Sequence, residues 1–153
     1  MRSNRMGLSV FLALAVPLLA LSCGSAASPS AGLVAIASIS GQTAESVTFR
    51  VGVKNTGAKT QTLIFGSSQF FDIEVRSLTG KLLWRFSEGK LFLDVLWGLA
   101  LEPGQSSVQE AAWDFAAGGE APLFPGPCTA IVTITSFPRR EGLTTSIRLR
   151  VPE

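Results

Sequence analysis

Three observations predict an all-β domain built as an antiparallel β-sandwich of about seven or eight strands. Apolar residues recur at every second position in several short runs, the runs are separated by Gly, Pro, Asn and Ser, and no long pattern of period 3.6 interrupts them. Strands of this length with turns this frequent suit an immunoglobulin-like arrangement of two packed sheets.

The alternation begins at Leu33. Val47, Phe49, Val51 and Val53 alternate with Thr48, Arg50, Gly52 and Lys54, which puts four apolar side chains on one face of a half-buried strand. Asn55-Thr56-Gly57 supplies turn chemistry, residues 60–65 read as the next strand, and Gly66-Ser67-Ser68 interrupts again. Phe71, Ile73 and Val75 then alternate with Asp72, Glu74 and Arg76. After a hairpin-type connection at 78–81, Leu82, Trp84 and Phe86 alternate with Leu83, Arg85 and Ser87, so the two runs should pair antiparallel. Leu91, Val95 and Leu99 fall at i, i+4 and i+8, marking one helical or irregular stretch expected to cover an end of the sandwich. Pro103-Gly104 is a turn before a strand over 106–113. Residues 114–127, with Gly118, Gly119 and three prolines, read as a long loop. Ala130, Val132 and Ile134 mark a strand over 128–136, and Ile147, Leu149 and Val151 alternate with Arg148 and Arg150 in the last one.

The N-terminus has the layout of an export signal. Arg2 and Arg5 precede an uncharged apolar run over 6–21, followed by Ser22, Cys23, Gly24 and Ser25. That run is shorter than the roughly 18 residues a bilayer-spanning helix needs, contains Pro17, and has no basic cluster behind it. Ala20-Leu21-Ser22-Cys23 resembles a lipobox. This gives a signal peptide over 1–22, lipid attachment at Cys23, a Ser/Ala/Pro-rich tether over 23–32, and a single domain over 33–153. Ordinary cleavage after Ala27 is the alternative, and would remove Cys23. The protein is thus expected at the cell membrane or outer membrane by a lipid anchor, or else secreted or periplasmic. On either route Cys128 has no partner in the mature chain, and no disulfide is predicted.

Charge and composition exclude several functions. Without Arg2 and Arg5, the 13 basic residues fall to 11 and balance the 11 acidic ones. A neutral domain without a Lys/Arg block lacks the footprint of a nucleic-acid binder. There is no histidine, which removes Ser-His-Asp and Cys-His nucleophilic sites and His-containing zinc sites. Neither a phosphate-binding Gly-Lys-Ser/Thr loop nor a calcium loop is present. Asp72 and Glu74 could be weighed as a glycosidase pair, but Arg76 continues the same face, and the three read as a solvated, self-compensating stripe. Cys128 opens an apolar strand and reads as a buried, inert thiol. Trp84 and Phe86 fall on the alternation and are assigned to the core; Phe92 and Trp97 fall outside it and are the surface candidates. No catalytic residue, metal ligand or cofactor is assigned, and the chain is expected to be a monomer.

Between Val47 and Phe137 the chain resembles the intracellular proteinase inhibitor family, BsuPI. The resemblance lies in FRVGVKNTG from Phe49, FDIEVRSLTGKLLWRFSEGKLF from Phe71, LEPGQS from Leu101 and PGPCTAIVTI from Pro125. It implies a sandwich that binds and inhibits a serine proteinase without catalysis. An inhibitor must hold out a rigid loop; the candidates are 87–92 and 114–127, with Glu88, Lys90, Phe92 and Trp97 as the candidate interaction surface. The other reading is a lipid-anchored module that docks on an envelope protein without inhibiting anything.

Overall fold

In the computed structural model, which describes residues 32–115 and 125–152, the alternation becomes nine antiparallel strands. They are β1 (Leu33–Gln42), β2 (Ser46–Asn55), β3 (Gln61–Phe65), β4 (Phe71–Ser77), β5 (Leu82–Arg85), β6 (Trp97–Leu101), β7 (Ser106–Asp114), β8 (Gly126–Ile134) and β9 (Thr144–Val151). The signal segment, Cys23, the tether up to Ala31 and the centre of the 114–127 loop lie outside the described residues.

Three hydrogen-bonded sheets form, in the orders β1-β2-β7, β3-β6 and β5-β4-β8-β9. One apolar core joins them. Val47, Phe49, Val51 and Val53 enter it from β2, Phe71, Ile73 and Val75 from β4, and Cys128, Ala130, Val132 and Ile134 from β8, all fully or almost fully buried. Leu63, Phe65 and Leu101 bring the β3-β6 pair onto the same core. The layers meet through aromatic rings: Trp84 lies 6.2 Å from Phe49 and 5.5 Å from Trp113 between ring centres, nearly parallel to both. Burying rings of this size dominates the cohesion of a small core.

Two of the nine strands were not delimited in the sequence, although the alternation was read from Leu33 onward. The first is β1, whose alternation is carried by Ala35, Ala37 and Ile39 and is therefore weak in volume. The second is β6, where Trp97, Leu99 and Leu101 alternate with Gly98 and Ala100. The i, i+4, i+8 spacing that suggested a helical stretch across 91–99 is overruled there, because Trp97–Leu101 pairs residue by residue with Phe65–Gln61.

A bulge corrects the phase of β5. Trp84 lies opposite Val75, but Leu82 lies opposite Arg76, so Leu83 is the extra residue. Leu83 and Trp84 both pack against the core, Leu82 is exposed, and Phe86, past the end of the strand, returns inward. The core assignment of Trp84 and Phe86 stands, although strict alternation does not.

Candidate functional site

The charged stripe on β4 is more extensive than Asp72, Glu74 and Arg76. Arg85, from β5, reaches across: its Nε donates to Asp72 Oδ2 at 2.9 Å and its Nη2 to Glu74 Oε1 at 2.5 Å. Arg76 Nη2 donates to Glu74 Oε2 at 2.6 Å. Asp72 also accepts the backbone N–H of Ser87 at 3.1 Å and its hydroxyl at 3.0 Å, fixing the chain as it leaves β5. The hydrogen bond from Arg76, assisted by the charge of Arg85, holds the Glu74 carboxyl below its ordinary range against the opposing effect of desolvation. A general acid needs the reverse shift. The stripe is a structural clamp that positions the chain beyond Arg85.

That chain carries the densest run of exposed large apolar side chains among the described residues. Residues 86–89 make a turn in which Glu88 N–H donates to Arg85 O and Lys90 N–H to Ser87 O, both at 3.2 Å, with Gly89 at a φ of 70° that favours glycine. From Lys90 to Leu96 the backbone then runs without helix, turn or bend into β6. Leu91 is 100% exposed, Leu93 75%, Leu96 78% and Val95 44%. These four are half of the large exposed apolar side chains among the described residues, and they fall within six positions. Scattered exposed leucines need no explanation, but a contiguous group does.

The segment is held from several sides. Ser68 makes two hydrogen bonds to the backbone of Leu93: its N–H donates to Leu93 O, and its hydroxyl accepts Leu93 N–H, each at 2.9 Å. The Trp97 indole N–H donates to Ser67 O at 2.7 Å, and the ring stacks on Phe65 at 4.2 Å. Phe92 leans on Phe86 at 6.5 Å, and Phe86 on buried Phe71 at 4.7 Å. The Lys90 ammonium lies 4.5 Å above the Phe86 ring.

The four sequence candidates therefore separate. Glu88 and Lys90 are exposed at the turn, with Lys90 folded over Phe86. Phe92 is half-buried and shares the Phe86 cluster with Lys90. Trp97 is committed to packing and to Ser67, and acts as the strand-side anchor of the segment. Leu91, Leu93 and Leu96 lie inside the stretch up to Trp97 that the sequence offered as a contact surface but were not singled out there, and neither was Ser68, which ties the backbone of Leu93. The available signal was the run LFLDVL, five apolar residues in six with no alternation, directly after a Ser-Glu-Gly-Lys turn. Cys128 is buried, and desolvation raises its thiol pKa, so it lacks the thiolate character of a reactive cysteine.

The described residues form an antiparallel β-sandwich domain that pairs off the charges of its β4-β5 face and carries a scaffolded apolar segment over 90–96. The family model described as intracellular proteinase inhibitor, BsuPI, matches residues 34–136, which spans β1 through β8, and the chain belongs to that family. No curated protein matches the chain. Among solved structures, β-glucosidase 3B from Thermotoga neapolitana is similar over 80% of this chain at 13% identity, with a TM-score of 0.44. A β-glucosidase from Kluyveromyces marxianus is similar over 81% at 15% identity, also with a TM-score of 0.44. The chain spans only 16% and 14% of those two enzymes. The CARDB domain of a Pyrococcus furiosus protein, solved with di-metal ions, is similar over 78% of this chain and 91% of its own length, at 14% identity and a TM-score of 0.40. Likenesses at this level carry no functional argument.

Proposed function

We propose that the protein is a non-catalytic inhibitor of serine proteinases, exported and held at the cell envelope by a lipid on Cys23. The observation that carries this reading is the family match over 34–136. The scaffolded loop supports it, since a proteinase inhibitor works by presenting a segment whose ordering cost is met before binding. The family's description says intracellular; the export half of the proposal rests instead on Arg2, Arg5, the apolar run and the Ser22-Cys23 junction. The direct test is to incubate the purified protein at micromolar concentration with subtilisin-like, chymotrypsin-like and trypsin-like proteinases. Concentration-dependent loss of activity in at least one class is expected. Full activity throughout would reject the reading and leave the envelope-docking module in its place.

A further inference from the structure

We infer that the inhibitory segment is Lys90 to Leu96, that Leu91 is its primary specificity residue, and that the partner is a serine proteinase with an apolar primary pocket. This rests on the inhibitor reading above and adds to it which loop, which side chain and which class of enzyme.

A segment that lies in a proteinase cleft needs an open backbone, a side chain free to enter the primary pocket, and supports outside the cleft that keep it from relaxing or being released after cleavage. Residues 90–96 meet the first condition, running without helix, turn or bend. Leu91 meets the second: it is the one large apolar side chain of the described residues that is fully exposed. The third is met two residues further on, where both backbone groups of Leu93 are tied to Ser68, and again at Trp97, tied to Ser67 O. On the other side of Leu91 the chain is set by the 86–89 turn, which the Asp72 carboxylate clamps through Ser87.

The chemistry of the segment selects the enzyme. Primary pockets differ mainly in whether an acid or an apolar slot lies at their base. Lys90, the only basic residue of the segment, is turned back over Phe86, whereas Leu91, Leu93, Val95 and Leu96 are offered outward and Asp94 is the single acid among them. An apolar slot fits this display. A pocket with an acid at its base does not.

Inhibition constants of the purified full chain test this against a subtilisin-like or chymotrypsin-like enzyme and against a trypsin-like one. The wild type should inhibit the former. Leu91→Asp should weaken that inhibition by about a hundredfold or more, as expected for a buried anchor lost from a tight interface, and Leu91→Lys should move inhibition toward the trypsin-like enzyme. Leu78→Asp, at an exposed leucine of the β4-β5 hairpin, should change nothing. Ser68→Ala should keep the melting temperature near that of the wild type but allow faster cleavage within 90–96, read by intact mass. Wild-type inhibition that survives both Leu91 substitutions overturns the loop assignment while leaving the inhibitor reading intact. A loss of self-association or of vesicle binding in Leu91→Asp, with inhibition unchanged, overturns it in the same way. Failure of the wild type to inhibit any enzyme overturns both.

Discussion

Asn55 shows how one polar residue can organise an apolar domain. It is completely buried, yet every polar group it carries is used. Its side-chain amide donates to Lys59 O and Leu101 O at 2.8 Å, and its Oδ1 accepts Gly57 N–H at 2.9 Å. Its own N–H reaches Gln105 O, and its carbonyl accepts from Gly104. Read as sequence, Asn55-Thr56-Gly57 is a local turn; in the fold the same residue joins the end of β2 to the connections before β3 and β7. That role depends on contacts 46 residues away along the chain and leaves no local trace. Asn55→Ala would leave buried donors and acceptors unpaired, and unfolding in urea should show a loss of about 3 kcal/mol.

At the scale of elements, the strands that were legible are those whose alternation carries large side chains. Phe71, Ile73 and Val75 are buried as the period-two pattern requires, with Asp72, Glu74 and Arg76 on the other face. The small side chains of β1 blurred its signal, and β6 was masked by Leu91, Val95 and Leu99, which happen to fall at helical spacing. The bulge at Leu83 could not be read either, because a phase shift depends on the partner strand. Trp84→Ala tests this part of the structure. Removing a ring stacked between Phe49 and Trp113 should cost about 3 kcal/mol, read from a thermal or urea melt. Gly52 is a second test. A Cβ there would collide with the Ser107 carbonyl oxygen on β7, so Gly52→Ala should destabilise the β2-β7 pairing by about 1 to 3 kcal/mol in the same assay.

The exposed segment over 90–96 was only half legible, for a physical reason. An apolar run such as LFLDVL is read from composition as core, and nothing within it says that it faces out. What holds it out is distant in sequence: Ser68, Phe65 behind Trp97, and Asp72 under the preceding turn. The turn itself was legible, whereas the outward placement of Leu91, Leu93 and Leu96 depends on those distant supports.

For the whole molecule, a sandwich of low net charge that holds the apolar segment 90–96 away from its core is suited to recognition by shape and burial rather than by electrostatic steering. Attachment to the envelope would keep such a domain where exported proteinases act. Mass spectrometry of the mature N-terminus tests the attachment, with a diacylglyceryl-modified Cys23 expected and an unmodified N-terminus at Ser28 as the contrary result. Hydrogen exchange of the protein alone and with an active serine proteinase of apolar primary specificity is the most direct test of inhibition through 90–96. New protection confined to residues 90–96 and the Ser67-Ser68 support is expected. Protection elsewhere, or none at saturating enzyme, would contradict it.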